Sequence, residues 1–147
     1  MKLRLNHREV NPQLYELMLQ MEKTVLKTGI DRTLYEMIKI RASQINGCSY
    51  CVDSHSKAFL DRGEEINRLI HIPIWRESLL FTDKEKAVLA LTEAVTNISI
   101  EGVPDQIYEN VRKHFNEKEY LDLILAINTI NSWNRIGIST GMFPSCM

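Results

Sequence analysis

Three observations predict an all-α protein. Apolar residues recur at intervals of three and four almost throughout. Strand-like alternation is weak, and the few glycines and prolines fall where helices would end. The pattern divides into six to seven helices. The first should start at Asn11-Pro12, a cap followed by proline at the first helical position, and end at Gly29. Leu14, Leu17, Met18, Met21, Val25 and Leu26 form its apolar stripe. The second should begin after Asp31 and stop at Asn46-Gly47, where glycine suits a left-handed C-cap. The third carries two cysteines and should end near Gly63. A short helix through Ile66, Leu69 and Ile70 then runs to Pro73, with Trp75 in the following connection. Thr82-Asp83-Lys84-Glu85 is a capping box opening a fifth helix through Ala87, Val88, Leu91 and Val95. Gly102 and Pro104 separate it from a sixth with Ile107, Tyr108, Val111 and Phe115. Asn116-Glu117-Lys118-Glu119 opens the last, which runs towards Gly141.

At 147 residues the chain is long enough for one ordinary domain with a real core, expected to span residues 1–147. Acidic and basic residues nearly balance, giving a net charge of -1 with no basic stripe, so no nucleic-acid partner is expected. No apolar run has the length of a signal peptide or membrane span, and the expectation is a cytoplasmic protein without a membrane partner. Three cysteines cannot all pair within one molecule, which argues against a secreted disulfide scaffold. Cys146 reads as a tail thiol without a role.

The chemistry concentrates in Cys48-Ser49-Tyr50-Cys51-Val52-Asp53-Ser54-His55. On a helix, Cys48, Cys51 and His55 stand at i, i+3 and i+7, on one face. The two Cα atoms would be about 5 Å apart, within disulfide range. Amides at the first turn of that helix lower a thiol's pKa. His55 either lowers the pKa of Cys51 further when protonated or serves as its base when neutral. On a helical wheel, Leu34, Met37, Ile38, Arg41, Ala42 and Ile45 form the core stripe of the preceding helix. Glu36 falls on the other side with Ile40, Ser43 and Gly47. From position alone Glu36 is expected on the surface, since glutamates are seldom fully buried. If partly buried, its carboxyl would exchange a proton near neutral pH.

Zinc is the chemical rival, with His71 as a fourth ligand, but structural zinc sites usually bring a second paired motif and none is present. Haem attachment needs histidine directly after Cys51, where Val52 stands. A thioredoxin fold needs flanking strands.

Glu36, eleven residues, Cys48-x-x-Cys51, three residues and His55 together resemble the AhpD-like alkylhydroperoxidases of the carboxymuconolactone decarboxylase superfamily. The segment Ile130-Asn131-Ser132-Trp133-Asn134-Arg135-Ile136 is similar to that family's closing helix, and the resemblance covers about residues 10–140. It implies a helical fold assembled into a homo-oligomer, a trimer or hexamer. It implies Cys51 as the peroxidatic cysteine, Cys48 as the resolving one, and His55 with Glu36 as the proton relay. A peroxide substrate and a dithiol or lipoyl-type reductant follow, with no metal, flavin or haem. Tyr50 stands where well-studied alkylhydroperoxidases have histidine, and a phenol with a pKa near 10 relays protons less readily at neutrality.

The leading expectation is thus a thiol-dependent alkylhydroperoxidase with an antioxidant role. The alternatives are a non-enzymatic redox switch or partner-binding module, and a carboxymuconolactone-type decarboxylase, a branch that generally lacks the cysteine pair. Trp75 and Trp133 read as packing or subunit-interface anchors. Met18, Met21 and Met37 read as core. His7, His71 and His114 read as surface residues without partners.

Overall fold

The computed structural model describes residues 2–146, whose regular structure is helical, with no strand among them. The helices are α1 His7–Val10, α2 Pro12–Lys27, α3 Arg32–Asn46, α4 Ser49–Asp61, α5 Ile66–His71, α6 Asp83–Thr96, α7 Ile98–Glu101, α8 Asp105–Arg112 and α9 Glu117–Thr140. A 3₁₀ segment, Ile72–Glu77, follows α5. The seven helices expected from sequence are all present. The two additional ones, α1 and α7, are single turns.

Local chemistry sets the boundaries. The Asn11 side chain accepts from the Leu14 N–H at 3.1 Å, with Pro12 in the first turn. Asp31 caps α3 by accepting from Leu34 N–H at 3.0 Å. Gly47 ends α3 at φ 74°, a left-handed conformation that costs glycine little. Both predicted capping boxes form: Thr82 with Glu85 on α6, and Asn116 with Glu119 on α9.

α3 is the central element, packed on α4, α6 and α9. Every residue from Leu34 to Ile40 is buried. Leu34, Ile38 and Ala42 join Val88, Leu91, Ile127 and Ile130 in one apolar cluster. Met37 and Ile40 join Phe59, Ile72, Trp75, Phe81 and Leu89 in a second. The sequence wheel assigned Ile40 to the face away from the core; a helix covered on all sides has two apolar faces. Arg41, which the wheel put in the core stripe, instead donates to Glu93 at 2.8 Å. On α2, Met18 and Val25 are buried, while Leu17 and Leu26 are exposed.

Two polar groups near the end of α3, Ser43 and Asn46, are satisfied by α9. Asn134 donates to the Ser43 hydroxyl at 2.9 Å, and Asn46 donates to the side-chain oxygens of Asn131 and Asn134, each at 2.9 Å. Asn131 donates onward to Thr96 on α6 at 3.1 Å. Buried polar groups need such partners, and this network fixes the register of three helices. The N-terminal segment is tied to the end of α9, where Arg4 N–H donates to Thr140 O at 2.9 Å and its guanidinium to Ser139 O at 3.1 Å. Among the described residues no helix is long and apolar enough to cross a membrane.

Candidate active site

The turn between α3 and α4 places the cysteines. Gly47 reverses the chain, and Cys48 becomes the N-cap of α4, its sulfur accepting from Cys51 N–H at 3.4 Å. Cys48 and Cys51 are disulfide-bonded, with Cα atoms 5.4 Å apart, close to the spacing expected from sequence. Both are buried. Cys48 faces α9: a Cβ added to Gly137 would lie 3.4 Å from the Cys48 sulfur and 4.0 Å from that of Cys51.

His55 follows one turn along α4. Its Nδ1 lies 2.8 Å from Oε2 of Glu36 on α3. With the carboxylate as acceptor, Nδ1 carries the proton and Nε2 is the ring's basic nitrogen. Glu36 is only 8% exposed, which corrects the surface position expected for it. The packing of α4 on α3 covers it, and His55 satisfies it.

Cys51 and His55 open onto a pocket of about 240 Å³ bounded by α1, α2, α4 and α9, with largely apolar walls that include Tyr15, Leu19, Tyr50, Ile130 and Trp133. Cys48 is absent from this lining. A larger hollow of about 390 Å³ beside Trp75, Lys86 and His114 contains none of the motif residues. Among the described residues no group of three His, Cys, Asp or Glu side chains has the geometry to hold a metal ion.

A polar cluster in the same wall escaped the sequence reading. Glu22, on α2, accepts from Lys39 Nζ and from the Tyr35 hydroxyl, and from Trp133 Nε1 at 3.0 Å. Burial opposes ionisation of Glu22, but the Lys39 charge and the hydrogen bonds of Lys39 and Tyr35 together hold its carboxyl below the usual range. Burial lowers the pKa of Lys39, against the pull of Glu22 and Glu36. Burial, then the hydrogen bond to Glu22, raises that of Tyr35. Lys39 is 0% exposed. The only hint of this in the sequence is a lysine between Ile38 and Ile40.

Trp75 packs in the second apolar cluster and donates to Glu93 at 2.9 Å. Trp133 lines the pocket. Met18 and Met37 are buried and Met21 partly so. His114 is exposed, but His71 is half-buried, with Nδ1 2.9 Å from the Ser78 hydroxyl. His7, expected on the surface, is buried and borders the pocket. Its position depends on the N-terminal segment folding over α9, a tertiary event with no local signature. The Cys146 sulfur is partly covered and accepts from Phe143 N–H at 3.3 Å.

Comparison with known proteins decides the family. The sequence profile described as "Carboxymuconolactone decarboxylase family" matches residues 12–94. The chain belongs to that family. The uncharacterized protein YdfG of Bacillus subtilis is 43% identical over 141 residues, 96% of both chains. A crystal structure from Agrobacterium tumefaciens, of a protein of unknown function proposed to be the antioxidant defence protein AhpD, matches 99% of this chain and all of its own. Its TM-score is 0.95 and its identity 34%. The alkyl hydroperoxide reductase AhpD of Rhodopseudomonas palustris is 38% identical over 39 residues, 26% of this chain and 22% of that protein. The chain is thus an AhpD-like member of the family.

Proposed function

We propose that this protein is a thiol-dependent peroxidase that reduces organic hydroperoxides with the Cys48/Cys51 pair. The observation that carries the reading is Cys51 opening onto an apolar pocket beside His55, which is itself paired with Glu36. In the reduced protein, the thiol proton of Cys51 passes to the His55–Glu36 pair. The thiolate attacks the terminal peroxide oxygen. An S–O bond forms, the O–O bond breaks, and the departing alkoxide takes up the proton held by His55 and Glu36. The thiol of Cys48 then condenses with the sulfenic acid of Cys51, forming the disulfide and releasing water. A dithiol or lipoyl-type reductant restores both thiols by exchange and leaves as its own disulfide. The net reaction converts a hydroperoxide and a dithiol into an alcohol, water and a disulfide.

Two features support these roles. Cys51 borders the pocket and Cys48 does not, which suits attack by the first and resolution by the second. The Cys51 N–H donated to the Cys48 sulfur also favours Cys48 as thiolate, and hence as leaving group when a reductant attacks Cys51. The experiment is consumption of a lipoyl or dithiol reductant with cumene hydroperoxide. Wild type is expected to turn over repeatedly. Cys51→Ser should abolish peroxide reduction, and Cys48→Ser should allow one peroxide reaction without recycling. Normal turnover by Cys51→Ser would overturn the proposal.

A further inference from the structure

The N-terminal segment delivers a side chain to the pocket that the reaction above does not use. His7 is 3% exposed, and neither Nδ1 nor Nε2 has a hydrogen-bond partner among the described residues. Burial, then the charge of Arg8, holds the ring below the usual imidazole range. A neutral imidazole offers one N–H donor and one acceptor. Leaving both buried and unsatisfied is costly, and such groups in native proteins call for an explanation.

The ring's position is set by its surroundings. Asn6 caps α1 by accepting from Arg8 N–H at 3.1 Å, and Arg4 ties the preceding chain to Thr140. The ring stands edge-on to Tyr15 at 5.8 Å and to Trp133 at 6.0 Å, and those two lie 6.2 Å apart. All three rings border the pocket that Cys51 and His55 share. Most of that wall is apolar, Glu22 is committed to three donors, and His55 Nδ1 to Glu36. Tyr15, Tyr50, Ser54 and Arg8 also border the pocket but are partly or fully exposed to water, whereas His7 is buried with both hydrogen-bonding positions vacant.

We propose that His7 is a substrate-binding residue of this pocket, hydrogen-bonding an oxygen of an apolar-bodied hydroperoxide whose carbon skeleton packs on Tyr15 and Trp133. The assignment rests on the peroxidase reading for its choice of substrate. Glu22 is charge-paired with Lys39 and Arg8 also borders the pocket, so it is the apolar wall that favours an apolar-bodied substrate. Holding the oxygen end keeps the bound peroxide within reach of Cys51, a contribution to binding more than to the chemical step.

The test measures binding apart from turnover. Cumyl alcohol, the product of cumene hydroperoxide, is titrated into the disulfide form, and the indole N–H resonance of Trp133 is followed. Wild type is expected to bind. His7→Phe should weaken binding about tenfold, roughly the loss of one hydrogen bond of 1.4 kcal/mol. His7→Gln, which keeps a donor and an acceptor, should recover part of that loss. With hydroperoxide, His7→Phe should raise KM more than it lowers kcat. The melting temperature of His7→Phe should be unchanged or higher, since two unpaired polar atoms are removed; a structural role predicts a lower one. Equal binding by wild type and His7→Phe, no binding by wild type, or no recovery by His7→Gln would each overturn the proposal. Failure of wild type to turn over hydroperoxide, with binding and its His7 dependence intact, would count against the peroxidase reading instead.

Discussion

Lys39 shows how far a single residue can depart from its local signature. It is fully buried, and its partner Glu22 sits on another helix. Removing one member of a buried ion pair leaves the other charge uncompensated, at a cost of about 3–5 kcal/mol. Lys39→Met is therefore expected to lower stability by about 3 kcal/mol, with the double variant Glu22→Gln/Lys39→Met recovering much of it, as measured by urea denaturation. Equal stability of Lys39→Met and wild type would remove the pair from the account. The motif residues were legible because the spacing of Cys48, Cys51 and His55 is a local property of one helix. Glu36 was legible as a candidate through its distance along the chain from Cys48 and its place on the wheel beside Ile40 and Ser43, but position alone favoured the surface over the burial it has. Lys39, Tyr35, Glu22 and His7 were not legible as site residues, because what makes them so is contact between segments distant in sequence.

At the scale of elements, helix ends were read best. Asn11-Pro12, Asp31, Gly47, Thr82/Glu85 and Asn116/Glu119 all act as caps or stops, and cap chemistry is written within four residues. The single turns α1 and α7 carry no periodicity to detect. The two-faced burial of α3 was not legible, since a wheel assumes one core and this helix separates two. The site also constrains α9, whose Gly137 passes the disulfide. An alanine Cβ there would make ordinary van der Waals contact with the Cys48 sulfur at 3.4 Å. Gly137→Ala is thus expected to fold stably, gaining up to about 1 kcal/mol from helix propensity. Gly137→Leu has no room against the two sulfurs and should lower both the melting temperature and the rate of disulfide formation. Wild-type values for Gly137→Leu would contradict this close packing.

For the whole molecule, the expected all-α architecture holds, and the family places it among AhpD-like proteins. The homo-oligomer remains a proposal carried by the resemblance. Ile66, Ile70, Ile74 and Leu79 leave exposed apolar side chains along the stretch between α4 and α6, with Leu79 98% exposed. Sedimentation equilibrium at micromolar concentration is expected to give a trimer or hexamer, and a monomer would remove that part of the account. The central claim is that Cys51 takes oxygen from a hydroperoxide and Cys48 resolves it. The most direct measurement is mass spectrometry of the reduced Cys48→Ser variant after one equivalent of cumene hydroperoxide and a sulfenic-acid trap. The account predicts a single trapped adduct on Cys51, absent from Cys51→Ser. An unmodified Cys51, with the hydroperoxide unconsumed, would contradict it.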